Sequence, residues 1–150
     1  MKNGKYFIVV AVMLVALLGI WTMYAPKGDA DTVAHEEPAH VEAIEGSELS
    51  RVTLTQRAAE RLDIQTAELV EKQVAGATRT IAPYSSILYD TEGNTWVYTN
   101  PEPLVYIREA VTVESITGED AILSEGPEVG TKVVSVGGAM LYGTEHGVGH

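Results

Sequence analysis

Residues 81–100 constrain the fold of this chain more than any other stretch, because they are patterned as a β-hairpin. An apolar run is followed by the polar turn sequence of residues 90–94 and then by a β-branched and aromatic run. Two such runs separated by a short turn that contains glycine predict a hairpin, with Gly93 in the left-handed region at its tip. Successive side chains of a strand point to opposite faces, so Trp96 and Tyr98 are expected to share one face of the second strand.

Five aromatic residues lie in or near this hairpin: Tyr84, Tyr89, Trp96, Tyr98 and Tyr106. Together they offer more ring surface than the core of so small a domain needs. One interpretation is that Trp96 and Tyr98 simply form the core. The other is that some of the rings form an exposed patch, which is typical of a protein contact. The five residues are therefore candidate partner-contact residues.

The N-terminal residues have the composition of a membrane anchor. Residues 6–25 contain no charged side chain, and a helix of that length is roughly 30 Å long, about the thickness of a hydrocarbon core. Lys2 and Lys5 precede this stretch and acidic residues follow it, so the positive-inside rule places the N-terminus in the cytoplasm. Trp21 and Tyr24 stand near its outer end, where aromatic rings favour the membrane interface. These features predict a single-pass protein of the cytoplasmic membrane with most of the chain on the extracytoplasmic side; a cleaved signal peptide is the alternative.

Charge and cysteine content exclude several classes of function. The chain has 21 acidic and 10 basic residues, a formal net charge of −11, and no cysteine. An acidic surface repels phosphate backbones, so no nucleic-acid partner is expected. Without cysteine the chain forms neither disulfides nor thiolate metal sites.

Composition and turn signals divide the chain into four parts. The predicted organisation is an anchor at residues 1–25, an acidic flexible linker at 26–50, a β domain at 51–143 and a glycine- and histidine-containing tail at 144–150. Within the β domain, short strands alternate with turns, and residues 140–142 are expected to pack back on the core. This spacing predicts a mainly β fold, a small roll or barrel-like domain with one short helix, preceded by a single transmembrane helix.

One helix is predicted near the start of the β domain. After a short strand at residues 51–54, Thr55 can cap a helix over residues 56–62 by accepting a backbone hydrogen bond. Asp63 stands where this helix should end, and a residue in that position is expected to adopt a positive φ. Residues 71–78 are predicted to form a polar connection.

The histidines do not form a recognisable metal or catalytic motif. His35 and His40 are five residues apart with Pro38 between them, whereas the zinc-protease motif has an i, i+4 spacing on one helical face. A loose metal-binding role for these two residues is the alternative to a solvated tether. His146 and His150 lie in the tail and are expected to have no defined partner.

The turn of the hairpin is also unlike a calcium loop. Asp90, Glu92 and Asn94 alternate as cation ligands do, but the long loop and its closing glutamate are missing. Ser85 and Ser86 have no candidate base near them in the sequence. We therefore predict no catalytic residue, no metal site, no cofactor and no small-molecule substrate, and a protein that is not an enzyme.

Three stretches together resemble one domain of a known protein family. They are residues 52–67, the run at residues 83–88, and the turn and strand at residues 126–136. Together they are similar to the membrane-proximal domain of the periplasmic adaptor (membrane fusion protein, HlyD-like) family of RND-type efflux systems. In that family two separate chain pieces build the domain, and a β-barrel, a lipoyl-like domain and a long helical hairpin lie between them. Here only a short connection joins the pieces, and Asp63 replaces the usual glycine at the end of the helix.

The resemblance implies a docking function. The expected partner is an integral inner-membrane protein, an RND-type efflux transporter, on which this chain would act as a non-catalytic scaffold subunit. Because the lipoyl-like and hairpin parts are missing, a second hypothesis keeps the fold and changes the partner. In that hypothesis the chain is an accessory subunit of another membrane complex, for example an electron-transfer or photosynthetic one.

Overall fold

The computed structural model describes residues 37–147. The strands are β1 (Ala39–Ala43), β2 (Ser50–Leu54), β3 (Gln65–Glu68), β4 (Val70–Val74), β5 (Ala77–Pro83), β6 (Leu88–Tyr89), β7 (Thr95–Glu102), β8 (Val105–Thr117), β9 (Asp120–Glu125) and β10 (Lys132–Val136). The helices are α1 (Gln56–Arg61) and α2 (Gly138–Glu145), and a 3-10 turn spans Tyr84–Ser86. The prediction of a mainly β fold with a short helix is confirmed.

The predicted anchor precedes the described part of the chain. Residues 6–25, with Trp21 and Tyr24, lie outside the described residues. Among residues 37–147, no helix is both long enough and apolar enough to cross a membrane.

Chain pieces that are distant in sequence form one network of paired strands. The strand order is β3-β10-β7-β8-β9-β5-β4, while β2 pairs with both β1 and β8, and β6 pairs with β7. The strands on either side of α1 thus join the C-terminal strands, β2 to β8 and β3 to β10. Val52, Leu54 and Val134 share one buried cluster. The expectation that the two pieces of the chain build one domain is confirmed.

Strand β7 is buried on both faces. The cluster on one face contains Val52, Leu54, Ala58, Ala59, Tyr98, Tyr106, Val134 and Leu141. The cluster on the other contains Leu69, Ala82, Ile87, Val97, Val111, Ala121, Leu123 and Val133. Tyr98 and Val97 fall into different clusters because neighbouring side chains of a strand point in opposite directions. The predicted alternation along the second hairpin strand is confirmed.

Helix α1 has the predicted ends. The side-chain oxygen of Thr55 accepts the backbone N–H of Ala58 at 3.2 Å, which satisfies one of the free donors of the first turn. Asp63 follows the helix with a φ of 49°. Asp tolerates this left-handed conformation better than most residues, so the departure from glycine does not disturb the helix end.

Strand β1 lies inside the segment predicted as a flexible linker. Its sequence alternates Ala39, Val41 and Ala43 with His40 and Glu42, and it pairs antiparallel with β2. Only Ala39 packs against a core cluster, which is why so weak an apolar pattern was not recognised. The linker prediction is therefore wrong for these five residues, which cover the outer edge of β2.

A second hairpin replaces the predicted polar connection. Strands β4 and β5 pair from Val70–Ile81 to Val74–Ala77. The turn consists of Ala75 with a φ of 50° and Gly76 with a φ of 83°. Two positive φ values suit the twist of a tight hairpin, but alanine is an uncommon residue for this conformation and gave no turn signal.

Helix α2 extends into the predicted tail. Leu141 is fully buried and Tyr142 packs against the same cluster, as expected for residues that fold back on the core, whereas Met140 is exposed. The helix continues to Glu145, so the tail prediction is wrong for its first two residues.

Candidate protein-binding surface

The five aromatic candidates do not form one patch. Tyr98 and Tyr106 are 0% and 4% exposed and belong to the core, so neither can contact a partner. Tyr84 and Tyr89 are 44% and 55% exposed. The exposure of Trp96 is intermediate between those of the two pairs, so its ring is half-buried. Inclusion of Tyr98 and Tyr106 among the contact residues was therefore wrong, because the inward face of β7 and β8 needs large side chains to fill it.

A concave surface lies where the hairpin of β6 and β7 meets the second half of β8. We call this surface the ledge, and it is lined by Tyr89, Gly93, Asn94, Thr95, Trp96 and residues 110–116. The predicted hairpin is present, with Leu88 paired to Trp96 and Tyr89 to Thr95. Tyr89 and Ile116 expose large apolar side chains there. Exposed apolar side chains on a concave surface are typical of a protein contact.

The tip of the hairpin is held by one carboxylate. Asp90 Oδ1 accepts the backbone N–H groups of Glu92 and Asn94, both at 2.9 Å. Its Oδ2 accepts the side-chain amide of Asn94 at 2.9 Å and the indole N–H of Trp96 at 3.0 Å. The hydrogen bond from Trp96, followed by those from Asn94, lowers the pKa of Asp90 well below its ordinary value. Both carboxylate oxygens are thus used by the turn itself, and Gly93 has the predicted positive φ of 89°.

A buried ion pair lies behind Trp96. The guanidinium carbon of Arg108 is 4.4 Å from the centroid of the Trp96 ring and 5.5 Å from that of Tyr142. Arg108 Nη2 donates to Glu145 Oε1 at 3.4 Å, and Arg108 Nε lies 3.4 Å from Oε2 without hydrogen-bond geometry. The hydroxyl of Tyr98 donates to Glu145 Oε2. The side chains of Arg108 and Glu145 are 11% and 4% exposed. Each charge therefore depends on the other to offset the free-energy cost of removing it from water.

This pair also shifts the ionisation of Tyr98. Burial of the hydroxyl, followed by its hydrogen bond to Glu145, raises the pKa of Tyr98 far above its ordinary value. The hydroxyl therefore stays protonated and remains a donor to the carboxylate. Next to the pair, the ring of Tyr142 stacks on that of His146 with centroids 4.1 Å apart.

Trp96 is consequently fixed from two sides, by Asp90 at its N–H edge and by Arg108 over its ring. A side chain that is already held in place loses little conformational freedom when a partner binds, so the ledge is preorganised. Sequence reasoning missed Arg108 and Glu145. The alternation of β8 contained a signal, since Arg108 occupies the same face as the inward-pointing Tyr106, and a cation in that position needs a buried acid.

The described histidines serve local contacts. His40 is exposed, with Nε2 3.2 Å from Glu42 Oε1. Nδ1 of His146 lies 2.9 Å from the carbonyl oxygen of Tyr142. Within residues 37–147, no three histidine or acidic side chains are grouped so that they could hold a metal ion. His35 and His150, the other two histidines, lie outside the described residues.

Fold and ledge define a small mainly β domain with a preorganised, partly aromatic surface. No protein-family model matches the chain, and no curated protein matches it. Among solved structures, it is similar to the NMR structure of a 180-residue segment of SilB from Cupriavidus metallidurans CH34, which comprises the N-terminal metal-binding site and the membrane-proximal domain of that protein. The identity is 20%, the TM-score is 0.45, and the similarity covers 53% of this chain and 44% of the SilB segment. The matched region thus spans less than half of that segment.

Proposed function

We propose that this chain is a non-catalytic, adaptor-like subunit of the inner membrane. Residues 6–25 anchor it, and the domain on the periplasmic side docks through the ledge on an integral inner-membrane protein. The proposed partner is an RND-type efflux transporter. In this role the chain contributes binding and positioning, and the transporter supplies the energy for transport.

The assembly of the domain from two chain pieces supports this proposal most. The sequence resembles the membrane-proximal domain of periplasmic adaptors in two separate pieces. The strands of those pieces pair, β2 with β8 and β3 with β10. If the two pieces belonged to unrelated parts of the structure, their strands would have no reason to pair.

The chemistry of the ledge favours binding over catalysis. The two carboxylate oxygens of Asp90 accept hydrogen bonds from four N–H donors of the hairpin. Glu114, the acidic residue that lines the β8 side of the ledge, accepts a hydrogen bond from Arg79 Nε at 3.1 Å. A general acid or base needs a free proton site next to the reacting group. Both oxygens of Asp90 are engaged and Glu114 is paired with Arg79, so we propose a binding surface.

Co-purification from mild detergent tests the proposed function. The tagged full chain should retain an RND-type transporter, as should the variant Met140→Glu, which alters an exposed side chain outside the ledge. The variant Tyr89→Glu should lose it, because the new charge replaces an exposed ring of the ledge. Retention of an electron-transfer or photosynthetic complex in place of a transporter would favour the accessory-subunit hypothesis. A chain that elutes as a monomer without any membrane protein would contradict both.

A further inference from the structure

Strand β8 is longer than the strands that cover it. It runs for 13 residues from Val105 to Thr117. Strand β7 pairs with it only as far as Val111, where Thr95 is the partner, and β9 pairs with it from Thr112 onward. A strand has two hydrogen-bonding edges. Among residues 37–147, the stretch 112–117 therefore has a strand partner on only one of them.

The uncovered edge borders the ledge. Residues 110–116 line that surface together with the tip of the hairpin, where the chain turns away from β8. Thr112 and residues 114–117 are exposed, and Val113 is half-buried. The pairing of β8 with β9 shifts register twice between Thr112 and Ser115 and is regular from Ser115 to Thr117. A solvent-exposed strand edge thus runs along the ledge that Tyr89 also lines, and its pairing with β9 is regular from Ser115 onward.

The composition of this edge differs from that of another outer strand. Strand β4, at one end of the sheet, carries Glu71 and Lys72 on its exposed residues, and charged side chains, lysine above all, discourage the addition of further strands. The stretch 112–117 has four β-branched residues, and its single charge, Glu114, is paired with Arg79. The β8 edge therefore has the β propensity that favours strand pairing and lacks a protective lysine.

Charge indicates which strand could pair there. Glu92 directly precedes Gly93, which lines the ledge, and Glu119 lies in the turn that follows β8. Neither belongs to an ion pair among the described residues. Asp90, in the same turn as Glu92, adds a further negative charge at neutral pH. A segment with basic residues would be attracted to this surface, and an acidic one, including a second copy of this chain, would be repelled.

We infer that the ledge binds an extended, basic segment of its partner as an added β-strand along the free edge of β8, next to Tyr89 and Ile116. Backbone hydrogen bonds to the edge supply affinity, and the apolar side chains of the ledge accept alternate side chains of the added strand. This inference rests on the proposed function, since it specifies how the domain holds its partner.

Hydrogen exchange of the full chain in mild detergent, with synthetic peptides as probes, tests this mode of binding. A short peptide of alternating lysine and valine should slow amide exchange in residues 112–117. A peptide of alternating glutamate and valine should not, because of its charge. A lysine–valine peptide with proline at its centre should not either, because proline lacks the N–H that a ladder needs.

Two matched variants make the test specific. Ile116→Lys adds a cation to the β8 edge and should abolish the protection. Val70→Lys makes the same kind of change at an equally exposed β-branched residue of β4, 43% exposed in both cases, and should leave the protection intact. Protection along β4 instead of β8, protection by the acidic peptide, or full protection in Ile116→Lys would overturn the inference. So would self-association of the peptide-free chain that Ile116→Lys abolishes, because a second copy would then occupy the edge.

Co-purification with the same variants separates this inference from the proposed function. If the transporter remains bound to Ile116→Lys as tightly as to the unchanged chain, docking occurs elsewhere and strand addition is wrong while the function stands. If no membrane protein binds the unchanged chain, the proposed function fails even where the peptide binds.

Discussion

Two carboxylates hold the same tryptophan from different environments. Asp90 lies at the exposed hairpin tip and accepts the indole N–H of Trp96 together with three other N–H groups. Glu145 lies in the interior and acts on Trp96 through Arg108, whose guanidinium stacks on the ring. One network stabilises the edge of the ring, the other its face.

The two networks differ in how far they reach along the chain. All partners of Asp90 are within six residues of it, so its network can form once the hairpin forms. Glu145 contacts Arg108 and Tyr98, which stand 37 and 47 positions earlier in the sequence. Its network therefore requires the complete fold. The exposed carboxylate also keeps contact with water, while the buried one depends on its partners for solvation. Loss of Glu145 should therefore destabilise the whole domain, and loss of Asp90 only the tip of the hairpin.

The largest effect is expected from Glu145→Ala. This change leaves the cation of Arg108 buried without its acid, and removal of one partner of a buried pair typically costs about 3 kcal/mol or more in the free energy of unfolding. Urea unfolding of the full chain in mild detergent, followed by circular dichroism, measures it. Glu128→Ala removes an exposed carboxylate and serves as the control. Equal unfolding curves for the two variants would show that the buried pair does not join α2 to the sheet.

A smaller effect is expected from Tyr98→Phe. The change removes the hydroxyl that donates to Glu145, and hydrogen bonds to charged groups contribute about 1.5–3 kcal/mol. Tyr106→Phe is the matched control, since Tyr106 is also buried and its hydroxyl is not engaged in the hydrogen bonds of the described residues. The same unfolding experiment should separate the two variants; similar losses would contradict a specific role of the Tyr98 hydroxyl.

Alkaline pH provides a second measurement on Tyr98. Its pKa in the folded chain is raised above the ordinary value of 10.0, so the folded state keeps a proton that the unfolded state releases. The stabilising contribution is therefore complete below pH 10.0 and decreases as the pH rises beyond it. Tyr98→Phe should lose less stability than the unchanged chain over this alkaline range.

Asp90→Asn should have a local effect. The amide has one acceptor oxygen in place of two, so the turn loses part of the bonding to Asn94 and Trp96. Hydrogen exchange should become faster over residues 90–96 and stay unchanged in the two core clusters, with Glu92→Gln in the same turn as the control. Faster exchange across the whole domain would remove the distinction between the two carboxylates.

Acid pH measures the same network directly. The pKa of Asp90 is lowered from its ordinary value of 3.8. Its contribution to the free energy of unfolding is therefore complete above pH 3.8 and is lost only as the pH falls further, through the pKa of the folded state. The NMR signal of the Trp96 indole N–H should therefore keep its position at pH 3.8 and shift in stronger acid. A shift centred on the ordinary value would show that the carboxylate is not held by these donors.

The same contrast between local and distant contacts separates what the sequence could and could not predict. The hairpin tip at Gly93, the cap by Thr55 and the positive φ of Asp63 depend on a few neighbouring residues, and each was predicted. The partner of Arg108 is 37 residues away, in a segment predicted as a tail. Glu145 is the last residue of α2, a helix with two glycines, and this sequence gave no signal of a buried end.

The exposure of the ledge was predictable only in part. An aromatic cluster near the hairpin was evident, but which rings are exposed depends on α2, which packs against the cluster that contains Tyr98 and Tyr106. The free edge of β8 follows from the lengths of three strands relative to one another. Relative strand lengths are a property of register, which a single hydrophobic pattern does not specify across strands.

The smallest effect is expected from Lys72→Ala, which breaks a solvent-exposed ion pair instead of a buried one. Lys72 pairs with Asp120 across the strands of one sheet, and their side chains are 49% and 40% exposed. Water screens such a pair, so its loss should change the free energy of unfolding by less than about 1 kcal/mol. Arg79→Ala breaks the exposed pair with Glu114 and should behave alike. If either change approached the loss caused by Glu145→Ala, burial would not explain the difference between ion pairs in this domain, and the special position of Arg108 behind Trp96 would need another cause.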